Sequence, residues 1–180
     1  MNKAEVISYL HKKLNFSAES TRKLDTYEKL LLDYNKRYNL IAKSTETNLW
    51  ERHILDSAQI VHYLPNNTKE ISDLGSGAGL PGVILSIYDL NNTFHVKLYE
   101  KSPVKSAFLS NISKLLELNC KIICSDVKSV KIDSNHIVCR AFRKLPYILN
   151  ISRENCVKKH KIIVMKGRNA QIEVNNTFQL

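Results

Sequence analysis

Glycine is scarce: the 180-residue chain holds five, and four of them fall within Gly75–Gly82. Long apolar runs are missing too. None approaches the ~20 residues that a bilayer-spanning helix needs, which argues against a helical membrane protein. The first residues, Met1-Asn-Lys-Ala-Glu-Val6, lack the apolar stretch of a secretory signal. The four cysteines (Cys120, Cys124, Cys139, Cys156) form no C-x-x-C pair. No metal site is therefore expected, and buried reduced thiols in a cytoplasmic protein are the reading. Acidic residues are few, 17 against 27 Lys plus Arg, for a net charge of +10. That excess favours a polyanion such as RNA, DNA or the ribosome, although a lysine-rich surface kept for solubility gives the same count. The length suits one α/β domain, and 43% hydrophobic residues suffice for a core.

What is present falls into two parts. Val6, Ile7, Leu10 and Leu14 predict a helix over 3–14. Ser17 caps a second, in which Leu24, Tyr27, Leu31, Tyr34 and Tyr38 recur at helical spacing and leave Lys29, Lys36 and Arg37 on another face. The tyrosines are expected to pack on the domain behind them. A third helix is expected over 46–64, where the i, i+4 spacing sets Arg52 beside Asp56. Packing is also the expected role of His53. From residue 70 onward short apolar runs at 70–74, 94–100, 121–125, 137–139 and 161–166 read as strands. Helical patterns fill the gaps at 81–88, from Pro103, and at 145–158, with a turn or short helix within 127–135. Such alternation predicts a mostly parallel sheet with helices on both faces. Ligands of such sheets lie beyond the strand carboxyl ends. Those ends carry Asp73, Glu100, Asp126 and Arg140.

The glycine cluster, Asp73-Leu-Gly-Ser-Gly-Ala-Gly-Leu-Pro-Gly82, joins a strand to a helix. Glycines there accept positive φ and let a ligand approach bare backbone. The N-terminus of the helix, with Pro81 in its first turn, is expected to offer unpaired N–H groups. Gly77-x-Gly79-x-x-Gly82 matches the dinucleotide fingerprint, which leaves a nicotinamide-dependent oxidoreductase as one reading. Its register is off by the two residues Gly75 and Ser76. In the other reading Asp73 receives an ammonium group, Glu100 accepts from both ribose hydroxyls and Asp126 accepts from the adenine amine. Three carboxylates in succession fit cationic S-adenosyl-L-methionine better than a pyrophosphate. Arg140 is open to an ion pair with Asp73 or Glu100.

Four stretches together resemble a known family: Arg52-His-Ile-Leu-Asp-Ser57, the Asp73–Gly82 turn, Arg140-Ala-Phe142 and Lys166-Gly167. They are similar to the bacterial methyltransferases of guanine N7 in 16S ribosomal RNA, the RsmG or glucose-inhibited division protein B family, over roughly residues 25–167. The resemblance implies a Rossmann-like S-adenosylmethionine-dependent methyltransferase fold in one domain over 1–180. Its parts are an N-terminal helical extension (1–65), a donor-binding core (66–167) and a short tail (168–180). It implies donor contacts at Gly75, Leu80, the Val127 and Lys128 backbone, and Arg140, joined to Asp73, Gly77, Glu100 and Asp126 from the residue chemistry. The implied partner is 16S ribosomal RNA or the small subunit, met as a monomer. The family ends in a two-stranded hairpin, for which the chain to Leu180 leaves no room, so strand five is expected to be partly uncovered. His136 stands where the family often has an acid.

Guanine N7 has a lone pair and no proton, so no general base is expected. Arg140 and Lys166 are read as groups that orient the base or phosphates. The rival class is a non-catalytic ribosome-binding protein of the same fold, against which the retained glycines and Glu100 speak.

Overall fold

A computed structural model describes residues 1–178. Helix α1 (Lys3–Leu14) opens with a capping box of Asn2 and Glu5, and α2 (Ala18–Tyr38) with Ser17, whose hydroxyl accepts from Ser20 N at 2.9 Å. Left-handed asparagines, Asn15 and Asn39, close the two helices. The tyrosine face does pack inward in part. Tyr27 is fully buried and Tyr34 lies 4.9 Å from Phe108, ring to ring, whereas Tyr38 is exposed.

The expected third helix is not one helix. It is a 3-10 segment (Lys43–Asn48), a π-helical turn (Trp50–Leu55), a single α turn, α3 (Asp56–Ala58), and a second 3-10 segment (Gln59–Tyr63). π-turns are rare and concentrate at functional sites. This one carries Arg52 and His53.

Five parallel strands follow: β1 (Glu70–Leu74), β2 (His95–Tyr99), β3 (Cys120–Ile123), β4 (His136–Arg140) and β5 (Lys161–Met165), in the order β3-β2-β1-β4-β5. The order reverses between β1 and β4, so the switch point lies beside the glycine turn. Helices α4 (Gly82–Tyr88), α5 (Pro103–Leu115), α6 (Leu145–Asn155) and α7 (Ala170–Phe178) complete the chain.

Alternation along each strand splits the core in two. Ile71, Val96, Leu98 and Val138 face the cluster that contains α1, α2, α4 and α5. Leu74, Tyr99, Ile137 and Cys139 face the other, with Ile148 and Ile151 of α6. The N-terminal helices therefore cover one face of the sheet. The stretch 168–180, read as a short tail, carries α7, which packs beside α6. Among the described residues β3 and β5 form the two edges of the sheet.

Candidate active site

The carboxyl ends of β1, β2 and β4 open into a cleft of about 360 Å³, a size that suits a small ligand. The glycine turn forms its floor. Gly75 N and Ser76 N donate to Tyr99 O at 2.9 and 3.0 Å, which pins the turn to the end of β2. Gly75, Gly77 and Gly79 all have positive φ, the conformation that excludes most side chains. A Cβ on Gly75 would lie 2.1 Å from the ring of Phe142, and one on Gly79 2.3 Å from Val83. At Gly77 the nearest atom would be Gly75 O at 3.9 Å. Gly77 is the bare stretch of backbone that faces open space.

The helix end plays a smaller part than the sequence suggested. Pro81 precedes α4, the Gly82 N–H donates to Asp73 Oδ2 at 3.0 Å, and Val83 N donates to Gly79 O at 2.7 Å. The first N–H groups are thus taken within the protein. Gly82 is required by packing, since a Cβ there would lie 2.3 Å from Leu98 and 2.7 Å from Asp73 Oδ2.

Asp73 sits beneath the turn with no exposed surface and does not line the cleft. Its Oδ1 is buried without a partner. Burial raises its carboxyl to about 7, opposed by the Gly82 hydrogen bond. Because the folded value lies above the unfolded one, its contribution to stability is complete below about 3.8 and is lost as pH rises through about 7.

Glu100 closes the next side. Its Oε2 accepts from Gly77 N at 2.9 Å and its Oε1 from Ser102 N at 2.8 Å, with 8% of the residue exposed. Each oxygen keeps a lone pair for a ligand hydroxyl. Asp126 and Val127 line the cleft, and Asp126 Oδ1 caps the short 3-10 helix Val127–Ser129 by accepting from Lys128 N at 3.1 Å. Lys128 itself lies outside the lining, its ammonium 5.1 Å from the ring centre of Tyr147.

Arg140 lines the cleft and binds neither Asp73 nor Glu100. Its Nη1 donates to Asp56 Oδ2 at 2.9 Å and to Arg52 O at 3.1 Å, and its Nη2 donates to His53 Nδ1. Asp56 is thus the partner of Arg140 rather than of Arg52. The π-turn and the α3 turn after it bring the Arg52 carbonyl, the His53 ring and Asp56 toward β4, which no regular helix spacing anticipates. A guanidinium only donates, so His53 Nδ1 accepts and Nε2 carries the proton toward Thr45 Oγ1, 2.8 Å away. Burial, then Arg140 and Arg52, lower the His53 pKa to about 4. Its contribution to stability is therefore present above 6.5 and lost as pH falls toward about 4.

Lys166 stands apart from the cleft. Its ammonium donates to Arg143 O at 2.6 Å and pairs with Glu173 of α7 at 2.9 Å. Glu173 also accepts from Leu145 N at the start of α6. Helix α7 thus holds this lysine, a tie invisible while 168–180 read as a tail. Two further parts escaped sequence reasoning. Tyr27 donates to Ala78 O at 2.9 Å, so α2 braces the turn from behind, and its burial raises the phenol pKa and keeps that proton in place. Lys101, Lys105 and Arg143 also line the cleft, each next to or just beyond a strand end the topology had marked.

Residues 20–179 match the family described as GidB, rRNA small subunit methyltransferase G. The chain belongs to that family. Ribosomal RNA small subunit methyltransferase G of Pelagibacter ubique is 38% identical over 94% of this chain and 82% of its own length. The protein of the same name from Orientia tsutsugamushi is 35% identical over 97% and 86%. Among solved structures, a methyltransferase of Thiobacillus denitrificans in complex with S-adenosyl-L-homocysteine superposes with a TM-score of 0.51, at 13% identity. The match covers 69% of this chain and 55% of that one. An O-methyltransferase of Thermotoga maritima gives 0.51 at 17% identity, over 69% and 47%. These two show the Rossmann-like α/β fold.

As a GidB-family chain, the protein is a methyltransferase of ribosomal RNA with S-adenosyl-L-methionine as methyl donor. The nicotinamide and non-catalytic readings are set aside by this membership. Glu100→Ala is expected to lower donor affinity at least tenfold by calorimetry. Hydrogen bonds to a charged group contribute about 1.5–3 kcal/mol each, and Gly77 would lose its anchor as well. A change below twofold would place the ribose acid elsewhere.

Proposed function

We infer that the chain, acting as a single methyltransferase domain and a monomer in the cytoplasm, transfers a methyl group to N7 of a guanine in 16S ribosomal RNA. The observation that carries this reading is the pairing of bare Gly77 backbone with the Glu100 carboxylate in a cleft whose lining contains one imidazole, that of His53, already committed to Arg140. The cleft fits the donor: Ala78, Leu80 and Val127 supply apolar wall, Glu100 suits ribose hydroxyls, and Asp126 suits an adenine amine. Gly75, Gly77, Leu80, Glu100, Asp126 and Val127 are the residues that would hold it.

Bound by these residues, the donor would supply a sulfonium methyl group, which the N7 lone pair could accept without loss of a proton. The protein's task is to align the base and exclude water. Lys101, Lys105 and Arg143 along the lining supply cations for RNA phosphates, while Arg140 holds the cleft wall in place. No helix among the described residues is long and apolar enough to cross a membrane.

The single-turnover rate at saturating substrates is expected to stay nearly level from about pH 6.5 to 8.5, the span in which a histidine base would titrate. His53→Gln, which keeps an acceptor for Arg140, is expected to leave that rate within about tenfold, less than the ~10²–10⁴ a base supplies. A log-linear rise with pH, removed by His53→Gln, would show proton abstraction and exclude N7 as the nucleophile. Primer-extension mapping of N7-methylguanine in 16S RNA, with and without the gene, tests the product directly.

A further inference from the structure

Beyond Arg140 the chain does something costly. Ala141 adopts φ +48, the left-handed region, with a Cβ in place. Strain of this kind concentrates at functional sites and persists where the surroundings enforce it. It accompanies the placement of the next residue: Phe142 leans the Cδ2–Cε2 edge of its ring on Gly75, so tightly that a Cβ there would overlap it. Tyr147, in the first turn of α6, braces Phe142 edge-on, with ring centres 6.0 Å apart and planes at 72°. Both rings line the cleft and both are half-buried. Two cations gather on Tyr147, Lys128 at 5.1 Å and Arg143 at 5.6 Å from its ring centre, and both residues are exposed.

The donor-holding groups and the basic lining leave these rings without a task. An aromatic surface set beside a glycine floor and flanked by exposed cations has the makeup of a single-stranded nucleic-acid contact, in which bases stack on rings and cations follow the phosphates. A base must also leave its own stack to reach a reagent held in a cleft. We propose that Phe142 is the stacking platform for the target guanine, that Tyr147 fixes its orientation, and that Arg143 and Lys128 hold the phosphates on either side. The proposal rests on the guanine-N7 reading of this cleft. It adds a reason for an aromatic ring rather than an aliphatic one. Methylation at N7 turns the neutral purine into a cation, and a π face attracts a cation more strongly than a neutral ring. The stacking contact thus strengthens as the reaction proceeds, which raises the rate of the chemical step as well as binding.

The test compares Phe142→Leu and Phe142→Trp with the unaltered protein, using small subunits that lack the modification. Donor affinity is measured by calorimetry and the single-turnover rate at saturating donor and subunit. Phe142→Leu is expected to keep donor affinity within threefold while its rate falls at least thirtyfold, and Phe142→Trp to recover the rate to within fivefold of the original. A loss of donor affinity with an unchanged rate would assign Phe142 to the donor pocket and overturn the proposal. So would a rate indifferent to Leu and Trp alike. If the unaltered protein forms no N7-methylguanine, the parent reading fails instead, a distinct result. A second measurement does not depend on the variants folding: 2-aminopurine placed at the mapped target position in RNA is expected to lose fluorescence on binding the unaltered protein, through stacking. A rise in fluorescence would show a base flipped but unstacked and would overturn the platform.

Discussion

Gly77→Val is expected to abolish measurable donor binding, by at least a hundredfold, while the protein stays folded. At Gly77 an added Cβ meets no protein atom closer than 3.9 Å, so the valine enters the cleft itself. Its φ of +57 adds a backbone cost of about 1–2 kcal/mol for a residue with a Cβ, and somewhat more for a β-branched one. That cost is a fraction of typical domain stability. The contrast with neighbouring glycines sharpens the test. Gly82→Val would drive a side chain into Leu98 and Asp73, and it is expected to fail in folding before binding can be asked. Calorimetry with S-adenosyl-L-methionine, beside a thermal melt, separates the two. A Gly77→Val protein that binds with unchanged affinity would remove the turn from the donor site.

Arg140→Ala is expected to lower the single-turnover rate at least a hundredfold and to destabilise the fold by about 2–3 kcal/mol, a range set by the loss of several hydrogen bonds to a charged group, one of whose partners is half-exposed. The guanidinium joins the end of β4 to the π-turn, through the Arg52 carbonyl and the His53 ring, and to α3, through Asp56. Without it that wall of the cleft loses its tie, and displacement of about 1 Å near reacting atoms costs on the order of a hundredfold. Arg140→Lys is expected to restore charge but only part of the rate, because an ammonium cannot reproduce the planar fork. The His53 ring reports independently. Its pKa of about 4 is lowered first by burial and next by Arg140, so the variant is expected to raise it part of the way toward 6.5. An imidazole titration by NMR that shows no upward movement, together with an unchanged rate, would reject the role given to Arg140.

The glycine turn was legible because few sequences other than a strand–turn–helix junction gather four of five glycines within eight residues. The parallel sheet followed from alternating apolar runs, and strand ends pointed to Glu100, Asp126 and Arg140 because parallel strands send all their carboxyl ends to one side. The separate fates of Asp73 and Lys166 were not legible. A carboxylate at a strand end reads alike whether it faces ligand or supports the backbone beneath it. Only the packed turn shows Asp73 Oδ2 spent on Gly82. Lys166 reads as a free cation until α7 brings Glu173 to it.

The segment 46–64 shows the same division. Regular helical spacing placed Asp56 beside Arg52, but the π-turn shifts the register and Asp56 meets Arg140, 84 residues away. By itself the sequence determined the local conformations that glycine, proline, capping residues and hydrophobic period impose, and with them the strand–helix order and the place of the cleft. The tertiary structure alone decided which polar groups face that cleft and which are consumed in building it, because hydrogen-bond partners distant in sequence meet only when the sheet is assembled, and a buried donor or acceptor must take whichever partner packing brings within reach.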